Sequence, residues 1–304
     1  MMATILKVTG LKKAFGHHQV LRGVDFTVET GHIVGLVGPN GAGKSTIMKA
    51  VLGLIPTNAG TIEIDGQAVA ITSHQALKQV GALIEYPGIY PFLTGMQHLT
   101  LFAKKKNRAE HIQRIVAGLG MGPYINAKAK SYSLGMKQKL GIAQALVNRP
   151  RLVILDEPMN GLDPQAVKDL RDLIQAESKN GTSFLISSHI LSELEKLADD
   201  VLVLNEGHIM QETSMAELET ANGVLYTLHT VDDAAARTAI TAAGLTLEAG
   251  PGLTVRQTTN ATTLNRTLVA VVNAGINIQS IDQSHPDLES TFLQMVAQSK
   301  QKEA

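Results

Sequence analysis

An α/β fold is expected from three stretches, each an apolar run that closes on chemically distinctive residues. GHIVGLVGPNGAGKSTIMKAVLGL carries the strand-like Ile33–Val37 into a glycine-rich turn, then into a helical pattern of Ile47, Met48, Val51 and Leu52. RLVILDEP, residues 151–158, ends on two acids, and SFLISSHI ends at His189. Continuous apolar runs suit strands buried on both faces, the condition of a parallel sheet covered by helices.

Composition narrows the function classes. With 304 residues, 44% of them hydrophobic, the chain can build one large or two ordinary globular cores. Lys+Arg and Asp+Glu both number 27, so no global charge draws the chain to nucleic acid, which is not an expected partner. The absence of cysteine excludes disulfides, thiolate metal ligands and a thiol nucleophile, and fits a reducing cytoplasm. The opening MMATILKVTGLKKAFG is interrupted by Lys7, Lys12 and Lys13 and does not read as a signal peptide. No apolar run reaches the length of a membrane span, so the chain by itself is expected to be soluble.

The first stretch fits G-x-x-x-x-G-K-[ST] in the required strand, loop and helix context, through Gly38, Pro39, Asn40, Gly41, Ala42, Gly43, Lys44 and Ser45. Such glycines let backbone N–H groups turn inward around a polyphosphate, and the helix N-terminus adds its positive dipole end. Lys44 is placed to reach the β/γ oxygens and the Ser45 hydroxyl to ligate Mg²⁺; Thr46 completes the candidate ATP contacts. In the second stretch Asp156 would hold Mg²⁺ through water, and Glu157 would polarise the attacking water as general base. Alone, two acids at a strand end read as solvated turn residues; beside a phosphate loop the catalytic reading is favoured.

Between these stretches lies KSYSLGMKQKLGIAQALVNRP, which resembles the signature region of the ATP-binding-cassette (ABC) family. The family pattern is L-S-G-G-Q; Tyr132-Ser133-Leu134-Gly135-Met136 keeps the serine and a glycine and departs at Leu134 and Met136. The resemblance implies that Ser133 and Gly135 contact the γ-phosphate held by an opposing copy, so that two cassettes clamp two ATP molecules head to tail. Ser133 also suits a plain N-cap for a helix with Leu140, Ala143, Leu146 and Val147 on one face. Asn160-Gly161-Leu162-Asp163 resembles the family's D-loop, with Asp163 and Pro164 equally suited to cap the helix that carries Val167, Leu170 and Ile174. His189 matches the switch histidine that contacts the γ-phosphate; His17, His18 and His111 are expected to be solvated. KAFGHHQVLRGVDFTV resembles the family's N-terminal antiparallel strands, and two readings of Phe15 stand open: a ring stacked on adenine, or a core aromatic.

The resemblance covers residues 4 to about 220 and implies a P-loop NTPase core of ABC type. An antiparallel β subdomain and a helical subdomain over about 85–150 complete it, with VLVLNEGHIMQET as the closing hairpin. Lys104-Lys105-Lys106-Asn107-Arg108 is expected to be a solvated helix face or loop. In LIEYPGIYPFLTG, Glu85 stands where most family members carry a glutamine that touches Mg²⁺ and the attacking water. The I-E-x-P pattern resembles the cassettes that export bacitracin-like and lantibiotic peptides, a subgroup with Glu at this place. Glu85 is therefore a candidate catalytic and Mg²⁺-site residue, at a junction that faces a membrane permease on a separate chain. The implied location is the inner face of the cell membrane.

Residues 221–304 change character, with fewer charges and many Thr and Ala. GVLYTLHT, DDAAARTAITAAG, LTLEAG, LTVRQT, NATTLNRTLVAVVNAG and INIQSIDQ predict β-α-β-β-α-β, the order of a small ferredoxin-like α+β unit. A last helix, PDLESTFLQMVAQ, would present Leu288, Phe292 and Met295 on one stripe. No acid pair, His cluster or glycine loop marks chemistry there, and packing or dimer support is preferred over ligand sensing. Two functions remain, an exporter ATPase and a soluble cassette in repair, translation or assembly. The absence of a heptad insertion, of a second nucleotide domain and of basic charge favours the exporter.

Overall fold

In the computed structural model, which describes residues 3–250, 252–257 and 262–284, the chain divides into two compact units, Met1–Thr213 and Ser214–Ala304. The division falls upstream of the expected 220/221 boundary, so helix α7 (Met215–Asn222) belongs to the second unit.

The first unit opens on a hairpin of β1 (Thr4–Phe15) and β2 (His18–Glu29). It is joined by β4 (Ala59–Ile64) and β5 (Gln67–Ala68) in an antiparallel sheet ordered β2-β1-β4-β5. Alternating burial along β1 and β2 reflects a sheet with one face on the core. The second sheet is ordered β10-β9-β3-β8-β7-β6, from β3 (Ile33–Val37), β6 (Val80–Leu83), β7 (Leu152–Leu155), β8 (Ser183–Ser188), β9 (Asp200–Asn205) and β10 (His208–Ser214). Its central pairings are parallel, and every residue of β3, β7 and β8 is buried, as the continuous apolar runs require. The turn Glu206-Gly207 places both residues at positive φ and closes the β9–β10 hairpin.

Helices α1 (Lys44–Val51), α5 (Pro164–Lys179) and α6 (Leu191–Glu195) accompany this sheet. The helical subdomain contributes α2 (Gly95–Phe102), α3 (Arg108–Gly118) and α4 (Leu134–Leu146). A capping box between Thr94 and Gln97 starts α2. Lys104, Lys105 and Lys106 are exposed in the loop before α3. Leu6, Val24, Ile47, Val51, Leu152 and Leu185 belong to one hydrophobic core, so the antiparallel sheet and the α/β layer share a single interior.

Gly81 of β6 lies against α4 so closely that an added Cβ would stand 1.9 Å from the Ala145 carbonyl oxygen. Both partners are backbone, so neither yields cheaply. Gly81→Ala is expected to cost about 1–3 kcal/mol through overpacking; a thermal melt of the purified chain checks it, and an unchanged Tm would refute the contact.

The second unit contains β11 (Val224–Thr230), α8 (Asp233–Ala242), β12 (Leu253–Gln257), α9 (Thr263–Asn273) and β13 (Ile278–Ser284), with sheet order β12-β11-β13. Leu228, Ala236, Ile240, Val255 and Val271 form its own core. LTLEAG is not a strand here, which corrects the β-α-β-β-α-β expectation to β-α-β-α-β among the described residues. Its first residue, Leu245, is consumed by the end of α8, where Gly244 and Leu245 donate to the Thr241 and Ile240 carbonyls. The one ladder-like bond runs from Glu248 N–H to Thr254 O. The predicted helix with Leu288, Phe292 and Met295 lies outside the described residues.

Candidate functional site

The glycine-rich loop leaves β3 at Val37 and enters α1 at Lys44, with Gly43 as N-cap at φ 113°. That angle favours glycine, and a Cβ there would also meet Leu21 Cδ2 at 2.8 Å. No side chain caps α1, so the N–H groups of its first turn stay available to an anion. Lys44, 6% exposed, curls its ammonium over the loop and donates to Gly38 O at 2.6 Å and Pro39 O at 3.3 Å. Asn40, Gly41, Gly43, Lys44, Ser45 and Thr46 line a pocket of about 360 Å³ with Val20 and Glu157. Gly38, Pro39 and Ala42 shape the loop without lining this pocket, Ala42 N–H donating to Pro39 O.

The two acids after β7 have different surroundings. Asp156 is buried and accepts a 2.6 Å hydrogen bond from Ser187 Oγ. Ser187 in turn accepts from Glu157 N–H at 2.8 Å, so one hydroxyl on the neighbouring strand β8 holds both acids. Glu157 sits at φ 47°, a left-handed conformation that is strained for a side-chain-bearing residue and persists where neighbours over-determine it. Buried Gln138 of α4 supplies further restraint, its Nε2 donating to the Glu157 and Pro158 carbonyls at 3.4 and 3.3 Å. The Glu157 carboxylate meets His189 Nδ1 at 2.8 Å and stands 3.5 Å from Lys44 Nζ. Parallel strands β3, β7 and β8 thus bring Lys44, Asp156, Glu157 and His189 together from distant parts of the chain.

Other candidates lie elsewhere. Glu85, at φ 58° just after β6, binds Lys49 Nζ of α1 at 2.5 Å, with its side chain 55% exposed. Phe15 is half exposed, which rules out the core reading, and Lys13 Nζ lies 4.5 Å from its ring centroid. Ser133 caps α4 by accepting from Met136 N–H, and Asp163 caps α5 by accepting from Ala166 N–H at 2.8 Å. Ser133, Gly135, Gly161 and Asp163 line one pocket, and that pocket shares no residue with the phosphate-loop pocket. A single chain therefore presents two separate pockets, one at the phosphate loop and one at the N-termini of α4 and α5.

His111 corrects an expectation: it is half-buried, and its Nδ1 is enclosed without a hydrogen-bond partner. Unforeseen in the sequence, His98 is buried between the rings of Tyr90 and Phe102. Its Nε2 accepts from Tyr90 N–H at 2.7 Å, and burial pushes its pKa down, which keeps the acceptor lone pair.

The donor set at the loop fits magnesium. The metal is usually held by one or two carboxylates with substrate phosphates and waters supplying the rest. Ser45 lines the pocket, and the Asp156 carboxylate is already oriented by Ser187 at the end of the adjacent strand.

The ABC transporter family model matches residues 21–160. The ABC transporter ATP-binding protein YcbN of Bacillus subtilis is 34% identical over 97% of this chain and 98% of its own length. The bacitracin transport ATP-binding protein BcrA of Bacillus licheniformis is 41% identical over 73% of each chain. The lantibiotic transport ATP-binding protein SrtF of Streptococcus pyogenes is 40% identical over 68% of this chain and 90% of its own. A solved ATP-binding subunit of an ABC transporter superposes with TM-score 0.65 at 32% identity, over 71% of this chain and 92% of that one. The chain belongs to the ABC transporter family, as an ATP-binding ATPase subunit.

Proposed function

We propose that this subunit hydrolyses ATP to drive an exporter of bacitracin- or lantibiotic-like peptides, and so confers resistance to them. The observation that carries the hydrolytic part is the convergence of Lys44, Glu157 and His189, anchored by Ser187 and Gln138. The cargo class is supported by the likeness to BcrA and SrtF. The glycine loop and α1 N-terminus bind the triphosphate, with Lys44 on its terminal oxygens. Glu157 polarises a water for in-line attack on the γ-phosphorus; the bond to the β-bridging oxygen breaks, leaving ADP and phosphate. His189, held by Glu157, donates toward the γ-phosphate oxygens. Ser45, Asp156 and Glu85 would hold Mg²⁺, which neutralises phosphate charge when bound. Ser133, Gly135 and Asp163 act on the nucleotide of a second copy, and exposed Phe15 stacks on adenine. A permease on separate chains supplies the membrane path, since no described helix is long and apolar enough to cross a membrane. Neutral charge and a single nucleotide domain remain the support for this reading over a soluble cassette.

The test is growth in bacitracin or a lantibiotic of cells carrying the subunit with its permease, against cells lacking either. Equal sensitivity of all strains would sink the cargo assignment, and failure to co-purify with any membrane protein would favour the soluble alternative.

Glu85 gives a sharper probe because its exposed pair with Lys49 contributes at most about 1 kcal/mol. Glu85→Ala is therefore expected to keep its Tm and bind ATP while hydrolysis and resistance fall about 10–100-fold, the usual loss for a metal-site supporting group. Glu85→Gln keeps an oxygen acceptor at similar reach and should retain ATPase activity but couple less well to export. Full activity and full resistance in Glu85→Ala would reduce Glu85 to a surface acid.

A further inference from the structure

Helix α3 touches both helices that carry the trans-acting half-site, each near its C-terminal end and again near its middle. Arg114, near the middle of α3, pairs with Glu177 of α5, and its second Nη donates to Leu146 O, the last residue of α4, at 3.2 Å. Further along α3, a methyl added at Gly118 would stand 2.9 Å from Leu173 Cδ1 of α5. Just past its end, Leu119 O accepts from Lys139 Nζ of α4 at 2.9 Å. Advancing from Arg114 to Leu119 thus steps backwards along α4, from Leu146 to Lys139, and backwards along α5, from Glu177 to Leu173. Helices α4 and α5 therefore run in the same direction, each antiparallel to α3, and their N-termini emerge at the same end. Those N-termini are Ser133 and Asp163, which with Gly135 and Gly161 line one pocket. A Cβ at Gly135 would approach the Gly161 carbonyl oxygen to 2.8 Å, so the signature and D-loop backbones are already in close contact.

Resting on the reading of two copies paired across ATP, we infer that Arg114 is a positioning residue: its guanidinium clamps the C-terminal ends of α4 and α5 and so sets the signature against the D-loop for dimerisation. The Glu177 side chain is 6% exposed and that of Arg114 20% exposed, so this ion pair is shielded from screening. From the clamp to the N-terminus is thirteen residues of helix in α4 and fourteen in α5, about 20 Å in each. A tilt of roughly 10° at the clamp moves a tip at that distance by about 3 Å, enough to break the hydrogen bonds a trans γ-phosphate would need. Lysine cannot replace the fork, since one ammonium on a flexible stem does not span a carboxylate and a carbonyl with the same fixed geometry.

The experiment uses the full chain in the Glu157→Gln background, where an ATP-bound dimer should accumulate. Arg114→Met, Arg114→Lys and Glu177→Gln are compared by titration with a fluorescent ATP analogue, by analytical ultracentrifugation with ATP and Mg²⁺, and by melting temperature. Nucleotide affinity of the single chain should stay near that of the parent, because the phosphate loop is untouched. ATP-dependent dimerisation should weaken roughly tenfold in Arg114→Met, about 1.4 kcal/mol, with Arg114→Lys intermediate. If Arg114→Met fails to fold, Arg114→Lys and Glu177→Gln carry the same comparison. Unchanged dimerisation, or a loss recovered fully at lower temperature in step with Tm, overturns the positioning role. Failure of Glu157→Gln itself to dimerise with ATP is a separate result, which overturns the paired-copy reading and this inference with it.

Discussion

Glu157→Gln lowers ATP turnover by about 10²–10⁴-fold, the usual contribution of a general base, while nucleotide binding persists. The amide keeps the side chain's shape, so the loop, the bond from Glu157 N–H to Ser187 Oγ and the carbonyls held by Gln138 are retained. What disappears is the basicity of the carboxylate, together with the negative charge beside His189 and Lys44. Removing a carboxylate 3.5 Å from the loop ammonium also lowers repulsion toward a triphosphate, so ATP affinity should hold or rise. Single-turnover phosphate release, measured beside ATP-analogue binding, separates the two effects. Parental turnover in this variant would remove Glu157 from the chemistry.

Lys44→Ala acts on the other side of the same contact and should abolish useful ATP binding. A buried ammonium bridges loop carbonyls and is placed to bridge phosphate oxygens as well. Charge-assisted hydrogen bonds contribute about 1.5–3 kcal/mol each, so losing even one weakens affinity roughly 10- to 150-fold. Lys44→Met keeps most of the apolar stem and guards against a packing artefact. Titration with a fluorescent ATP analogue decides the matter: undiminished affinity in both variants would contradict the phosphate-loop assignment.

The buried strands were legible because a strand covered on both faces is largely apolar: β3 and β7 are so throughout, and β8 carries Phe184, Leu185 and Ile186 among its serines. The glycine loop and the acids at a strand end were legible because their spacing along the chain is itself the chemistry. Contacts across strands were not. Ser187 joins Asp156 to Glu157 only because β7 and β8 run in parallel register, which no local pattern encodes. Gln138 left a faint signal, as the one amide on the otherwise apolar buried face of α4. Lys49 became the partner of Glu85 because β6 delivers residue 85 beside α1. In the second unit, the alternating pattern of LTLEAG imitates a strand, yet closing the end of α8 takes the N–H groups of Gly244 and Leu245. His111 and His98 were misplaced or missed because enclosure of an imidazole depends on which helices pack over it.

The left-handed backbone at Glu157 carries an evolutionary consequence. Holding a non-glycine residue there costs about 1–3 kcal/mol, and glycine would release that strain while deleting the carboxylate. A library of this gene selected for heat resistance alone should therefore enrich glycine at position 157 among survivors that hydrolyse nothing. Survival of the acid in a working lineage is a choice of turnover over robustness, and any effort to stabilise the subunit by consensus or directed selection has to hold that codon fixed.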